Sequence, residues 1–242
     1  MLVDAHVHCH ELEEVEKYSL PQKLVLVCVS DDPESSLTTL ELSKKYANIE
    51  PCIGIHPWVA HEYSGGEARH LVEHVLRNHD IKCLGEVGLD KKFKPETFNK
   101  QLEVFNVFLT YAKEYDLVLN LHAAGAWREV LDLLISRDIQ RAYFHWYTGP
   151  VELLEPLSAA GYYVGANPAW IIQQKHREVL EVASLNFLLT ESDAPYTYRG
   201  LKMTPELVEK TLEFLAKVKK FEIEEVANVV YKNYLKLFKK GL

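Results

Sequence analysis

The chain lacks both a long hydrophobic run and an excess of positive charge. Its 242 residues contain no apolar segment near the roughly eighteen residues of a membrane span, and they do not begin with the basic, apolar and small residues of a signal peptide. We therefore expect a cytoplasmic protein. The formal net charge of −8 argues against binding along long nucleic acid by counterion release, so a phosphate-bearing substrate should be held locally.

Cysteine is also scarce, with four residues in the chain. Cys28, Cys52 and Cys83 lie in apolar, strand-like runs, whereas Cys9 lies beside a histidine pair but on the other face of its strand. In a cytoplasmic protein, buried free thiols are more common than disulfides. We therefore expect free thiols at the first three positions and a packing role, not metal ligation, for Cys9.

Low-complexity tracts are absent as well. The hydrophobic content of 48% and the charged content of 26% are typical of a globular protein, and the length suits one sizeable core. We expect one ordered, monomeric domain over residues 1–242.

Short apolar runs alternate with helical patterns along the chain. The strand candidates begin with the stretch around Asp4–His8 and continue at Lys23–Ser30, Ile49–Ile55, Ile81–Glu86, Leu117–Leu121, Arg141–Phe144, Tyr162–Gly165 and Asn186–Thr190. The helical patterns lie at Leu37–Tyr46, Glu67–His79, Glu96–Glu114, Trp127–Ser136, Glu152–Ala159, Gln173–Ala183, Thr204–Lys219 and Ile223–Lys239. Eight alternating units predict an α/β fold, a TIM-type (β/α)8 barrel that can be distorted, with an additional C-terminal helix. An open, doubly wound sheet is the alternative, but no glycine-rich phosphate turn follows the first strand.

Two histidines of the first predicted strand form a possible metal-binding pair. Asp4, His6 and His8 share one face, because successive side chains of a strand point to opposite faces. Imidazoles at i and i+2 offer nitrogen lone pairs to the same point, which suits a divalent transition metal. Solvated histidines at a polar strand end are the alternative reading.

Later strands also end on residues that can bind metal. In a barrel, the carboxyl ends of the strands meet at one mouth, where catalytic groups gather. The residues expected to converge there are His6, His8, Glu86, His122, His145 and Asp193. This set can hold two divalent metal ions, and a carboxylate such as Glu86 can bridge ions about 3.5–4 Å apart. Zinc, manganese, nickel and iron suit such ligands, and magnesium does so with more water ligands.

Other polar residues have a weaker claim on the site. His56 ends a strand but precedes Pro57, so we expect it to contact substrate instead of metal. Asp4 is expected to fix a histidine tautomer, and Glu191 either supports the site or makes a buried structural hydrogen bond. The histidines in helical or loop patterns, which are expected to be surface or packing residues, are His10, His61, His70, His74, His79 and His176.

Six motifs occur in order along the chain, namely Asp4-Ala-His-Val-His8, Ile53-Gly-Ile-His-Pro57, Gly85-Glu-Val-Gly-Leu-Asp90, the strand end at His122, His145-Trp-Tyr-Thr-Gly149 and Thr190-Glu-Ser-Asp-Ala-Pro195. Together they resemble the signatures of TatD-type metal-dependent deoxyribonucleases, and Asn233–Phe238 resembles the closing motif of that family. The resemblance implies a barrel of the metal-dependent hydrolase superfamily, a dinuclear site and phosphodiester hydrolysis. It also implies that His6, His8 and Asp193 hold one metal and that His122 and His145 hold the other, with Glu86 between them.

Three segments depart from the family pattern. After His122 the family commonly has Ser-Arg-Asp, whereas this chain has Ala123–Ala126 with Gly125 among the alanines. After His145 the family usually has Cys-Phe-Ser, whereas this chain has Trp-Tyr-Thr, and the segment between His10 and Lys23 is short. The first two changes lie beside the expected metals, so they can alter substrate choice while leaving metal binding intact.

The leading hypothesis is a two-metal phosphodiesterase that acts on DNA ends or short single-stranded DNA, with Asp193 as general base and Glu86 as the second catalytic residue. The first alternative is an amidohydrolase or ester hydrolase, although the fourth strand lacks the lysine of the carbamylated subtype. A non-catalytic metal-binding barrel is the second alternative. The intact ligand set, which includes Asp193, disfavours it.

Aromatic and cationic residues predicted at the mouth could contact DNA. Aromatics that could stack on bases, or simply pack within loops, are Trp58, Trp146, Tyr147, Trp170, Tyr196 and Tyr198. Cations that could bind flanking phosphates are Lys91, Lys92, Lys94, Arg199 and Lys202. With His56, Arg199 is our candidate for substrate binding.

Overall fold

Eight parallel strands form the centre of the protein in a computed structural model that describes residues 1–19 and 23–238. Neighbouring strands in the sheet are also neighbours along the chain. The strands are β1 (Leu2–Val7), β2 (Leu24–Cys28), β3 (Ile49–Ile53), β4 (Cys83–Gly88), β5 (Val118–His122), β6 (Ala142–Phe144), β7 (Tyr163–Ala166) and β8 (Leu188–Thr190). Most of their residues are buried, as expected of parallel strands with helices on the outside.

Hydrogen bonds between the end of β1 and the chain that follows β8 nearly close this sheet into a barrel. Asp193 N donates to His6 O at 2.9 Å, and His8 N donates to Ala194 O at 2.9 Å. The Thr190 hydroxyl donates to Val3 O at 2.6 Å. The predicted (β/α)8 barrel is therefore confirmed.

Helices alternate with the strands. They are α1 (Val15–Ser19), α2 (Pro33–Lys45), α3 (Gly65–Asn78), α4 (Phe98–Tyr115), α5 (Trp127–Ser136), α6 (Leu154–Ala159), α7 (Gln174–Val182), α8 (Leu207–Lys219) and α9 (Ile223–Phe238). Capping boxes start α2 and α3, where the Asp32 carboxylate accepts from Ser35 N at 2.8 Å and the Ser64 hydroxyl accepts from Glu67 N at 3.2 Å. Such caps satisfy N–H groups that lack a partner in the first turn, so they fix where these loops end.

The predicted strands and helices are all found, with differences at their ends. Helices α4 and α6 begin later than predicted, because Pro95–Thr97 and Val151–Leu153 form 3-10 turns. The short helix α1 was not predicted, and neither was a hairpin of β9 (Thr197–Tyr198) and β10 (Leu201–Lys202). Lys239, the predicted end of the last helix, lies outside the described residues. No helix within the described ranges is long and apolar enough to cross a membrane.

The expectation of free thiols was wrong, because the cysteines form two disulfides. Cys9 pairs with Cys28 and Cys52 pairs with Cys83, with Cα atoms 5.3 Å and 4.5 Å apart. Cys52 and Cys83 lie in adjacent strands and are direct partners in the register of β3 and β4. Residues paired in this way project side chains on the same side of the sheet. The single-strand patterns did not reveal this contact, because it depends on which strands are neighbours.

Candidate metal centre

The six predicted ligands lie together at the carboxyl end of the barrel. His6 and Glu86 lie within β1 and β4, and His122 is the last residue of β5. His8, His145 and Asp193 follow β1, β6 and β8 by one to three residues. Their convergence therefore comes from strand ends that meet at one mouth, as the fold requires.

Four of these residues surround one point. His6 Nε2 lies 3.2 Å from Glu86 Oε2 and 3.5 Å from Asp193 Oδ1. His8 Nε2 lies 3.6 Å and 3.4 Å from the same two oxygens. Ligands about 2.0–2.1 Å from a tetrahedral metal ion are separated by about 3.3–3.4 Å, so these spacings suit one divalent cation. His6 Nε2 is buried and has no hydrogen-bond partner, which is the state expected of a nitrogen reserved for a metal.

A second set of nitrogen atoms faces the other oxygen of Glu86. His122 Nδ1 lies 2.8 Å, His145 Nε2 lies 3.0 Å and His56 Nε2 lies 3.2 Å from Glu86 Oε1. One carboxylate thus presents Oε2 to the His6 and His8 nitrogens and Oε1 to this second set. That is the arrangement expected of a residue that bridges two cations.

The second set is less regular than the resemblance implied. The side chains of His56, Glu86 and His122 each place a possible ligand atom within 4.8 Å of the other two. The same is true of His6, Glu86 and His145, so His145 is grouped with a residue of the first set. The His145 ring stacks on the His6 ring, with centroids 3.9 Å apart and planes 11° apart. His145 therefore lies between the two donor sets.

Asn120 fixes the tautomer of His6. Its Nδ2 donates to Ala5 O at 2.9 Å, so its Oδ1 must be the atom that lies 2.8 Å from His6 Nδ1. Because this oxygen can only accept, the neutral His6 ring carries its proton on Nδ1, which leaves the Nε2 lone pair for a metal. A side chain at Gly85 would place Cβ 2.6 Å from the Asn120 Cβ, so the glycine makes room for this contact.

Asp90 orients His122 in the same way but with a carboxylate. Asp90 Oδ2 accepts from His122 Nε2 at 2.9 Å and from Trp58 Nε1 at 2.6 Å. The Asp90 Oδ1 atom accepts from the N–H groups of Lys92 and Phe93 at 2.8 Å and 2.7 Å. His122 therefore directs its Nδ1 lone pair toward Glu86. Such partners typically fix the orientation and raise the basicity of a metal ligand.

Asp31 faces the outer nitrogen of His8. Its Oδ2 lies 3.3 Å from His8 Nδ1 and 3.3 Å from His10 Nε2. Burial opposes ionisation of Asp31, but the two imidazoles outweigh it and hold the pKa of the carboxyl well below its usual range. These three residues also form a group that could hold a cation. His8 Nε2 faces the first donor set and a neutral imidazole has one lone pair, so the charge of Asp31 beside Nδ1 favours the tautomer that carries the proton there, without a hydrogen bond between the two side chains.

The buried charges of the centre shift one another's pKa values. Burial favours protonation of Glu86, but His145, His56 and His6 hold the pKa of its carboxyl well below the usual range. Burial lowers the pKa of His6, yet Glu86 and Asp193 raise it to about 9, whereas burial and the charge of His6 lower the pKa of His145 to about 4. A cation that binds here must therefore displace a proton from His6, which couples metal affinity to pH.

His56 lies inside the centre, whereas Arg199 lies at its rim. The Nδ1 atom of His56 accepts from Trp58 N at 3.1 Å, so its neutral ring carries the proton on Nε2. A donor at that position suits a substrate oxygen better than a metal. Arg199 occupies the exposed turn of the β9–β10 hairpin, with its guanidinium 5.2 Å from the centre of the Tyr198 ring.

Two expectations about supporting residues need correction. Asp4 does not contact a histidine ring, because its Oδ1 accepts from Ser192 N at 2.8 Å and from His6 N at 3.4 Å. His10 is not a remote histidine, since it shares Asp31 with His8. Glu191 makes the buried structural hydrogen bonds of our second reading, with donors that include Trp146 N at 2.7 Å.

Asn120, Asp90 and Asp31 were the residues missed as supports. Asn120 lies two residues before His122 and thus on the same strand face, a signal that could have been used. Asp31 follows the second strand and Asp90 follows the fourth. Asp31 and Asp90 follow strand ends, so the rule that identified the ligands could have extended to these two residues.

Comparisons with known proteins agree with this geometry. The family model for the TatD related DNase matches residues 3–239. An uncharacterized metal-dependent hydrolase of Methanocaldococcus jannaschii is 32% identical over 250 residues, which cover 99% of this chain and 98% of the relative. Deoxyribonuclease TATDN3 of Homo sapiens is 26% identical over 262 residues, which cover 99% of this chain and 95% of the relative.

Among solved structures, the TatD homolog YJJV of Escherichia coli K12 has a TM-score of 0.89 at 23% identity. The match covers 99% of this chain and 98% of that chain, so the two share a fold. Since the family model spans nearly the whole chain and the motif residues meet at one centre, this chain belongs to the TatD-related DNase family of metal-dependent hydrolases.

Proposed function

We propose that this protein is a two-metal phosphodiesterase that hydrolyses DNA at its ends or in short single strands. The observation that carries the proposal is the position of Glu86, whose two oxygens face different sets of nitrogen donors. Two divalent ions would supply an activated water and neutralise charge on the phosphate. The name of the human relative, a deoxyribonuclease, supports DNA as the substrate.

The ligands would divide between the two ions. One ion would be held by His6, His8 and Asp193, and the other by His122 and His145, with Glu86 bridging both. The spacing of the first set supports this division directly. The His145 ring stacks on the His6 ring. The proposal therefore requires the His145 imidazole to move toward the second ion when that ion binds.

Asp193 and His56 would handle protons and phosphate. The first set contains two carboxylates, and Glu86 is the proposed bridge between the ions. The other carboxylate, Asp193, is therefore the candidate general base. His56 would donate its Nε2 proton to a phosphate oxygen, since its Nδ1 is engaged by Trp58 N. The segment Ala123–Ala126 offers no charged side chain to the phosphate, so His56 and cations at the rim must supply such contacts.

Variants of Glu86 and Asp193 test the metal part of the proposal. Glu86→Ala should lose at least one metal ion and nearly all hydrolysis, because no other carboxylate among the described residues faces both donor sets. Asp193→Asn should lower kcat far more than it raises KM, because an amide cannot accept the proton. Metal content by mass spectrometry and steady-state kinetics measure these effects, with exposed Glu155→Ala as control. Full metal content and normal turnover in Glu86→Ala would refute the dinuclear assignment.

A substrate screen tests the reaction class. Labelled single-stranded, blunt duplex and circular DNA are compared with simple carboxylic esters, with each candidate metal present. We expect hydrolysis of short or frayed single strands above intact duplex, because the bond must enter the barrel mouth to reach the centre. Equal rates on circular and linear single strands would exclude a need for ends. Ester cleavage without DNA cleavage would instead favour the ester hydrolase.

A further inference from the structure

Two groups of aromatic side chains flank the metal centre at the barrel mouth. The Trp58 wall consists of Trp58 and Phe93, and the Trp146 wall consists of Trp146, Tyr196 and Tyr198. Building on the proposed function, we propose that these walls hold unstacked bases on either side of the phosphate that is cleaved. The ligand class is therefore a single-stranded nucleic acid segment with at least one base on each side of the phosphodiester.

The Trp58 wall is joined to the second donor set. The Trp58 indole donates to Asp90, the same oxygen that orients His122. Its ring lies 5.3 Å from the His56 ring and 6.0 Å from the Phe93 ring, measured between centroids. Phe93 is a large apolar side chain, yet it is 56% exposed beside Trp58, whose indole is held by its hydrogen bond to Asp90. A base that stacks on Phe93 would cover this surface.

The Trp146 wall is joined to the first donor set. Trp146 follows His145, and Tyr196 N donates to Asp193 O at 3.1 Å. The Trp146 ring lies 6.0 Å from Tyr196 and 5.0 Å from Tyr198, and Tyr196 is 44% exposed.

Hydrogen bonds hold this second wall in place. The Trp146 indole donates to Gln173 Oε1 at 2.8 Å, and Gln173 Nε2 donates to the Tyr198 hydroxyl at 3.3 Å. Glu191 accepts the Trp146 backbone N–H, which fixes a residue whose φ of 37° lies in the sparsely populated left-handed region. A rigid aromatic surface loses little entropy when a base stacks on it, so this construction suits binding.

The order of the strands places the walls on opposite sides of the mouth. Phe93 lies in the loop after β4, and Tyr196 lies in the loop after β8. In an eight-stranded barrel whose order follows the chain, the fourth and eighth strands are diametrically opposed. A phosphate at Glu86 would therefore have one wall on each side.

Each wall also carries a cation. Lys92 Nζ lies 4.9 Å from the Phe93 ring centroid, and the Arg199 guanidinium lies 5.2 Å from that of Tyr198. Cations next to aromatic surfaces are typical of sites that bind the charged backbone and stack the bases of single strands. Because the bases of a duplex are already stacked and paired, the two walls favour a single strand.

Two aromatics that were candidates from the sequence do not belong to either wall. Tyr147 is fully buried, with its hydroxyl donating to Pro150 O at 2.8 Å. Trp170 stacks on Phe214 with ring centroids 4.1 Å apart. Both therefore pack within the protein.

Substrates that lack one base test the walls. Short oligothymidylates are made with a tetrahydrofuran abasic residue immediately 5′ or 3′ of the cleaved linkage. In the parent protein, removal of either base should lower kcat/KM about fivefold or more. Phe93→Ala should abolish the sensitivity to one of these bases, and Tyr196→Ala should abolish the sensitivity to the other. Phe221→Ala, which removes an exposed aromatic outside the mouth, should leave both sensitivities unchanged.

A binding measurement separates failure of this proposal from failure of the proposed function. Fluorescence anisotropy of a labelled oligothymidylate is recorded in chelator, against an abasic oligomer of equal length and charge. Preference for the thymine oligomer, reduced in Phe93→Ala and Tyr196→Ala, would support the walls even in a protein that cleaves no phosphodiester. Equal affinity of the parent for the two oligomers would show that the walls do not bind bases. An equal loss of affinity for both oligomers in the variants would show the same.

Discussion

Replacing Asn120 with leucine of similar size should weaken metal binding without direct contact with a metal. The variant removes the acceptor for His6 Nδ1, so a buried N–H either stays unsatisfied or moves to Nε2, where it blocks the lone pair. Loss of such an orienting partner typically costs 10–100-fold in metal affinity, or about 1.4–2.7 kcal/mol. We expect an effect of this size on the ion held by His6.

Chelator competition measures this effect, with zinc as the probe and urea unfolding of the metal-free proteins beside it. Asn233→Leu is the matched control, because the Asn233 amide is also buried but donates to Leu185 O and Leu188 O at 2.9 Å, away from the centre. Both variants should lose stability, whereas only Asn120→Leu should lose metal affinity. A folded Asn120→Leu protein with parental zinc affinity would refute the role of Asn120.

Two further predictions concern stability. Burial lowers the pKa of His176 from 6.5 to about 4, and this outweighs its two hydrogen bonds, in which Nε2 accepts from Asn167 N and Nδ1 donates to Tyr147 O. As pH falls, His176 is protonated in the unfolded state before it is protonated in the folded state. It should therefore lower the free energy of unfolding by about 2–3 kcal/mol between pH 7 and 4.5. His176→Gln should remove that loss, as measured by urea titrations at several pH values. An unchanged pH dependence in the variant would exclude His176 as its source. Replacing Cys52 and Cys83 with alanine should cost about 3–4 kcal/mol, because their link closes a loop with a sequence separation of 31. Equal urea midpoints of this variant and the oxidised parent would contradict the disulfide.

The fold and the ligand set were predictable because both depend on local patterns. Continuous apolar runs such as Leu24–Cys28 identify parallel strands, and each strand fixes the face of its own side chains. A histidine or carboxylate at a strand end is therefore placed at the mouth by its own segment. His122 at the end of β5 and His145 just after β6 follow this rule without any knowledge of their neighbours.

The supporting contacts were harder to predict because they join distant segments. Asn120 and His6 are 114 residues apart in sequence, and their contact exists only once β1 and β5 face each other inside the barrel. Asp4 lies on the same strand face as His6, which suggested that Asp4 orients the His6 ring. The Asp4 carboxylate instead accepts from Ser192 N. The disulfide between Cys52 and Cys83 failed for the same reason, since strand order decides it.

His6 is oriented by the neutral amide of Asn120 and not by a carboxylate, and the charges nearby explain this difference. The Asp90 carboxylate accepts from His122 and the Asp31 carboxylate lies beside His8, and these histidines hold the pKa values of both carboxyls low despite burial. Near His6, burial already raises the pKa of Asp4 to about 7 and that of Glu191 to about 8, so a further carboxyl that does not face several imidazoles, as Glu86 does, would be costly to ionise. Asn120→Asp would add another buried carboxyl beside His6 and would face the Ala5 carbonyl with an oxygen in place of a donor. A neutral amide therefore sets the tautomer at the deepest ligand without the desolvation cost of another buried anion.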